Sequence, residues 1–341
     1  EIASCLVGSE MCIRDSCTIQ SVIPGQESGG YGNLIIIMLF NMKRKLFFIL
    51  SCLIFTAAFP CQAAKWKAQH VVMIGIDGWG AYSVPKASIP HIKEVMQKGC
   101  YTLKKRSVLP SSSAVNWASM FNGAGPEIHG YTEWGSRTPE IPSMVTNEHG
   151  IFPTIYSILR EAKPNAETGC MYEWEGIKYL VDTLAITHYA QAIGYDKQPD
   201  LLCSMAETYI MNKKPTFLAV CFDQLDHTGH HDGHDTPAYY QKLEELDTYV
   251  GRIVEAIKKA GIYDDTIIIL TADHGGIKKG HGGKTLQEME IPFIIAGKNV
   301  KQYGEFKECM MQFDTASTIA YIFGLTQPQA WIGRPMKQVF K

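Results

Sequence analysis

The sequence predicts an α/β domain built on a largely parallel central sheet with helices on both faces. Three observations lead there. Apolar runs of strand length recur between segments of helical spacing. Those runs are continuous rather than alternating, as expected of strands covered on both faces. Carboxylates stand directly after several of them, at the strand ends where open parallel sheets gather ligands.

In chain order, the strands read as His70–Ile76, Thr168–Tyr172, Thr216–Phe222, Thr266–Ala272 and Pro292–Ala296. Helical spacing covers Ile89–Lys98, Pro153–Ala162, Asp200–Asn212, Pro237–Ala260 and Asp314–Phe323. Asp235-Thr236-Pro237 supplies a capping residue and then a first-turn proline. Gly261 and Gly324 suit helix stops. No internal repeat or Ser/Pro-rich linker interrupts residues 64–341, which read as one domain.

The N-terminal part reads differently. Lys43, Arg44 and Lys45 precede an apolar stretch, Leu46 to Ala58, and a small-x-small site, Cys61-Gln62-Ala63. Residues 42–63 are therefore expected to be a cleaved signal peptide, giving a secreted or periplasmic protein. The apolar stretch is too short to span about 30 Å of hydrocarbon as a helix, so no membrane span is expected in the mature chain. A lipoprotein signal ending at Cys61 is the weaker reading, because Phe59 and Pro60 precede it. Residues 1–41 resemble translated adapter and untranslated sequence, so the native start is expected at Met38 or Met42.

Composition narrows the function. With 32 Lys plus Arg against 34 Asp plus Glu, the formal charge is −2, which excludes a generally basic surface for duplex nucleic acid. Of the ten Cys, Cys100, Cys170, Cys203, Cys221 and Cys309 follow the signal. That odd, widely spaced set argues against a disulfide scaffold.

Three strands deliver carboxylates to one rim: Asp77 after the first, Asp223 and Asp226 after Thr216–Phe222, and Asp273 after Thr266–Ala272. Crowded and unpaired, they would repel one another and raise their own pKa values, a conflict that cations resolve. Imidazoles accompany them: His230 four residues after Asp226, on an expected tight loop bent at Gly229, then His274, and His281 in a glycine-rich loop. Asp77, Asp226, His230, Asp273, His274 and His281 suit two divalent ions, each keeping an open position. Zinc is the expected metal, with Mn, Mg or Ca open to a carboxylate-richer site. His231 and His234 are expected to be solvated loop residues.

With GIDG, the D-x-x-x-H pair, TADHGG and HGG in this order, the chain resembles the alkaline phosphatase superfamily. Within it, the chain is similar to the type I phosphodiesterase/nucleotide pyrophosphatase branch, over His70 to Pro335. The resemblance implies an alkaline phosphatase-like fold. It also implies one metal site from Asp226, His230 and His281, and another from Asp77, Asp273 and His274. The substrate implied is a small-molecule phosphate ester.

The resemblance further implies a Ser or Thr nucleophile at a helix start, itself a metal ligand. The pattern P-[ST]-x-[ST]-x-x-N over Pro110 to Asn116 aligns Ser113 with it, while Ser111 and Ser112 remain alternatives. A helix N-terminus suits a phosphoryl oxygen, although a serine-rich cap is also ordinary there. Asn116-Trp117 stands where the family carries Asn-His, and Trp134 where it carries a phosphate-binding Asn, so at these two positions the resemblance does not imply the family's nucleotide contacts. Asn116 and Trp134 are the expected substrate contacts, with Trp134 placed either to stack on an aromatic leaving group or to pack. Glu173, Trp174 and Glu175 are further candidates for the pocket, and Tyr131 to Met144 for a small cap; His129 reads as structural. The expected activity is phosphodiester or nucleotide pyrophosphate hydrolysis through a phosphoserine. Alternatives are a phosphomonoesterase, a phosphotransferase and a metal-stabilised binding protein without catalysis.

Overall fold

A computed structural model describes residues 66–193 and 198–341. The leader and signal peptide expected from the sequence, residues 1–63, lie outside the described residues. The chain divides into two units, Glu1–Cys61 and Gln62–Lys341, and every described residue belongs to the second.

Eight strands form one sheet in the order β4-β3-β5-β1-β6-β7-β2-β8. They are β1 His70–Ile76, β2 Gly99–Arg106, β3 Thr168–Tyr172, β4 His188–Gln191, β5 Phe217–Phe222, β6 Thr266–Thr271, β7 Glu290–Gly297 and β8 Gly304–Glu305. Only β7 runs against the rest. The helices are α1 Pro90–Gln97, α2 Ser113–Asn122, α3 Pro126–His129, α4 Ile155–Ala162, α5 Gln198–Lys213, α6 Gln224–Asp232, α7 Pro237–Lys259, α8 Leu286–Met289 and α9 Asp314–Ile322.

Successive strand residues point to opposite faces, and both faces are apolar. Val71 and Met73 join one core with α2, α4 and α9; Val72 and Ile74 join the other with α1, α5 and α7. This is why the central runs carry no alternation. Trp117 of α2 lies so close to β1 that a β-carbon at Gly75 would come within 2.3 Å of its ring. Thr236 caps α7 by accepting from the Tyr239 N–H, with Pro237 in the first turn, as the sequence reading expected.

Three strands escaped the sequence reading. β4 and β8 are short edge strands, and β2 ends Lys104-Lys105-Arg106, so its charges hide a half-buried strand. Among the described residues no helix is long and apolar enough to cross a membrane. Cys100, Cys170, Cys203 and Cys221 are buried free thiols, and Cys309 is an exposed one.

Candidate metal centre

β5, β1 and β6 are adjacent and parallel, with Ile76 beside Phe222 and Gly75 beside Thr271. Their carboxyl ends therefore reach one rim, carrying Asp77, Asp223 and Asp273. Gly78, at φ 71°, turns the chain after Asp77; a β-carbon there would strike the Asp226 side chain at 2.7 Å. Its N–H donates to Asp273 Oδ1 at 3.1 Å, tying two strand ends together. Trp117 Nε1–H donates to Asp77 Oδ2 at 2.9 Å, so this tryptophan orients a candidate ligand.

The expected loop at Asp226–His230 is corrected: both residues lie on α6. A four-residue helical separation puts them on one face, and His230 Nε2 stands 3.1 Å from Asp226 Oδ2. Gly229 makes no bend. His274 lies three residues past the end of β6 at Thr271, and His281 arrives from the loop before α8.

The six side chains form two clusters, Asp226 with His230 and His281, and Asp77 with Asp273 and His274. Nε2 of His274 stands 3.3 Å from both Asp77 Oδ1 and Asp273 Oδ2. The rings of His274 and His281 stack with centroids 3.8 Å apart, so the clusters adjoin.

Each imidazole is held by a backbone carbonyl. Nδ1 meets the carbonyl of Gly275 for His274 (2.7 Å), Lys279 for His230 (3.0 Å) and Ser111 for His281 (3.0 Å). A carbonyl only accepts, so Nδ1 carries a proton in each ring, and a neutral ring would turn its Nε2 lone pair inward. In the ion-free site the hydrogen bond to Asp226 pushes the His230 imidazole up to about 9, so that ring is protonated until a cation takes the proton's place. Nε2 atoms of His230 and His281 are 3.0 Å apart. Two lone pairs facing at that distance need a cation or a proton between them.

The carboxylates point the same way. Asp77 Oδ1 and Asp273 Oδ2 are buried without a hydrogen-bond partner. Burial first, then the charge of neighbouring aspartates, pushes both carboxyls well above the usual carboxylate range. Burial holds the His274 imidazole down to about 3. Orphaned carboxylate oxygens, inward Nε2 atoms and mixed N/O donors fit a divalent ion in each cluster.

Of three adjacent serines, one faces the clusters. Ser111 Oγ donates to the Gly283 carbonyl at 2.6 Å and accepts from the Gly282 N–H, fastening the loop that carries His281. Ser112 precedes α2 and is buried. Ser113, the first residue of α2, places Oγ 3.1 Å from His274 Nε2.

A cavity of about 740 Å³ opens over this point, lined by Ser113, Glu133, Trp134, Trp174, Asp223, Asp226, His230 and His281 among others. Trp134 is 71% exposed on its rim. Asn116 is corrected as a substrate contact: it is fully buried, accepts from the Val108 N–H, and donates to the carbonyls of Val108, Pro110 and Ser112. Its work is to brace the loop that presents the serines. Glu173 is buried, accepting from the backbone N–H groups of Asp223 and Gln224 at the start of α6, and Glu175 pairs with Lys178 at the surface. His129 is buried between Ser119 Oγ and the Tyr131 N–H.

Two residues were missed. Lys105 is fully buried, donates to Thr271 Oγ1 at 2.8 Å, and is held by burial at a pKa of about 7 despite the charges of Asp314 and Asp273. Recognising β2 would have located it. His231 is exposed as expected, but His234 is buried.

The family profile for type I phosphodiesterase / nucleotide pyrophosphatase matches residues 71–281. Human ectonucleotide pyrophosphatase/phosphodiesterase family member 5 is 23% identical over 240 residues, covering 67% of this chain and 48% of that protein. The chain thus spans about half the length of the curated relatives it matches. Murine ectonucleotide pyrophosphatase/phosphodiesterase 5, solved in complex with AMP, superposes with a TM-score of 0.65 at 16% identity, covering 80% of this chain and 100% of that one. A 2-O GAG sulfatase superposes with the same TM-score at 15% identity, over 80% of this chain and 74% of that one. The alkaline phosphatase-like fold is common to them. By its sequence match, the chain belongs to the type I phosphodiesterase/nucleotide pyrophosphatase family.

Proposed function

We propose that this protein hydrolyses phosphoric diesters, with two divalent ions and Ser113 as the nucleophile. The observation that carries the reading is Ser113 Oγ at the head of α2, 3.1 Å from His274 Nε2 and lining the same cavity as Asp226, His230 and His281. Asp226, His230 and His281 would hold one ion; Asp77, Asp273 and His274, with Ser113 Oγ, the other. Zinc suits these N/O donors best, and Mn, Mg or Ca suits the carboxylate-richer set. When bound, such ions supply Lewis-acid stabilisation and ease ionisation of a hydroxyl.

The chain's own residues do the rest. The N-terminal end of α2 offers its positive dipole to the phosphoryl oxygens. Ser113 Oγ gives up its proton to solvent and bonds to phosphorus as the bond to the leaving alkoxide breaks, and that alkoxide takes a proton from solvent and departs as an alcohol. Water then attacks the phosphoserine, the Oγ–P bond breaks, and a phosphate monoester leaves with the serine hydroxyl restored. The cavity favours a diester over a monoester. Trp134 and Trp174 offer apolar surface to a second organic substituent, and among the described residues no Lys or Arg lines it to balance a dianion.

Residues 42–63 as an export signal would place this chemistry in the periplasm or outside the cell. The test uses protein exported from its own signal, its N-terminus read by mass spectrometry, then reconstituted with zinc. Bis-p-nitrophenyl phosphate should turn over at least tenfold faster than p-nitrophenyl phosphate, and the N-terminus should be Ala64. Faster monoester turnover would make the protein a phosphomonoesterase. Phosphoryl transfer to added alcohol in preference to water would make it a transferase. Two bound ions without turnover of either ester would leave a binding role. An N-terminus at or before Met42 would remove the export reading.

A further inference from the structure

His234 belongs to neither cluster, yet its side chain is fully buried and neither ring nitrogen has a hydrogen-bond partner. Burying an unmet polar group costs about 1–3 kcal/mol, so a ring placed this way needs a reason. Space for it comes from two segments that carry ligands. A β-carbon at Gly229 on α6 would lie 2.4 Å from the ring, and one at Gly276, just after His274, 2.3 Å. The backbone is fixed as well: the His234 N–H donates to the Lys278 carbonyl at 2.6 Å, one residue before the carbonyl that holds His230.

What the ring faces is the second half of the observation. His234 Nε2 stands 3.8 Å from Asp226 Oδ1, which is also buried and without a partner. The other oxygen, Oδ2, is the one turned to His230 at 3.1 Å and His281 at 3.7 Å. Two orphaned polar atoms therefore confront each other across a gap about 0.8 Å longer than a hydrogen bond.

We infer that His234 is a positioning residue for the Asp226–His230–His281 cluster: its Nε2–H donates to Asp226 Oδ1 and holds Oδ2 toward the ion. The inference rests on the two-ion reading above. Once Oδ2 is engaged by a cation, Oδ1 remains a buried acceptor, and a neutral imidazole is a donor of suitable size. Outer partners of ligating carboxylates are typically worth 10–100-fold in metal affinity.

The test is a zinc titration of ion-free wild-type protein, His234→Gln and His234→Leu against a chelating indicator, with folding checked by circular dichroism. Wild type and His234→Gln, which keeps an N–H donor, should bind two ions with similar affinities. His234→Leu, which fills the space without a donor, should weaken one of the two by 10–100-fold and leave the other unchanged. Long-range proton–nitrogen NMR of the zinc-loaded wild type should find the His234 proton on Nε2. A folded His234→Leu variant that binds both ions as tightly as wild type overturns the inference. So does a metal-bound Nε2 on His234, a result available even if His234→Leu fails to fold. Wild-type protein that binds no ion overturns the two-ion reading itself, and this inference with it.

Discussion

Replacing Ser113 with Ala is expected to lower kcat for a phosphodiester by 10³-fold or more while both ions stay bound, and steady-state hydrolysis against metal content checks it. Removing a nucleophile in other hydrolases costs on the order of 10⁴–10⁶-fold, with residual rate from the remaining binding and electrostatic groups. Here that residue would be direct attack by water at a phosphorus still held between the clusters. Loss of Oγ removes one donor from the Asp77–Asp273–His274 set but none of its carboxylates or its imidazole, so metal content should fall little. Activity of Ser113→Ala within threefold of wild type would remove Ser113 from the mechanism. Ser111→Ala is a useful contrast. Its hydroxyl fastens the His281 loop through Gly283, so its effect should appear in metal affinity before it appears in the chemical step.

Asp273→Asn should move activity and stability in opposite directions. Activity should drop by at least 10³-fold, because the variant keeps the shape of the cluster but removes a charge that would hold an ion. The ion-free protein should become more stable. In wild type, burial and the neighbouring aspartate favour the protonated carboxyl, whose folded pKa is raised well above 3.8. A raised carboxyl contributes stability that is present below its unfolded pKa and is lost as pH rises through the folded value. Asn does not titrate, and its amide can donate to His274 Nε2, 3.3 Å from the oxygen it replaces. The variant's advantage should therefore be absent near pH 4 and grow toward pH 8, where its Tm should exceed that of wild type. Thermal melts of chelator-treated protein across that range decide it. A lower Tm than wild type at pH 8 would mean that the buried aspartates do not strain the ion-free fold.

Much of this site was legible because its chemistry sits at the ends of conspicuous strands. His70–Ile76 and Thr168–Tyr172 were read with their observed bounds, since covered parallel strands are continuous apolar runs. Asp77 and Asp273 could then be placed at the rim by position alone. Secondary structure near the site was less legible. Asp226 to His230 reads as a loop because Thr228, Gly229 and two histidines are weak helix formers; tertiary packing against α7 outweighs that preference. β2 went unread because a buried Lys105 breaks the pattern by which strands are recognised. Asn116 looked available to substrate, yet its four backbone hydrogen bonds depend on how the loop before it folds back. His234 is the clearest case. Whether an imidazole is solvated or buried here is decided by two glycines, Gly229 and Gly276, far apart in sequence and adjacent in space.

The proposed chemistry needs two cations seated at the carboxyl edge of the sheet, opposite Ser113. Anomalous X-ray diffraction at the zinc edge, from crystals of zinc-reconstituted protein, tests it most directly. Two peaks are predicted, one in contact with Asp226, His230 and His281, the other with Asp77, Asp273 and His274. A map with no peak at either cluster, or with zinc bound only elsewhere on the molecule, would contradict it.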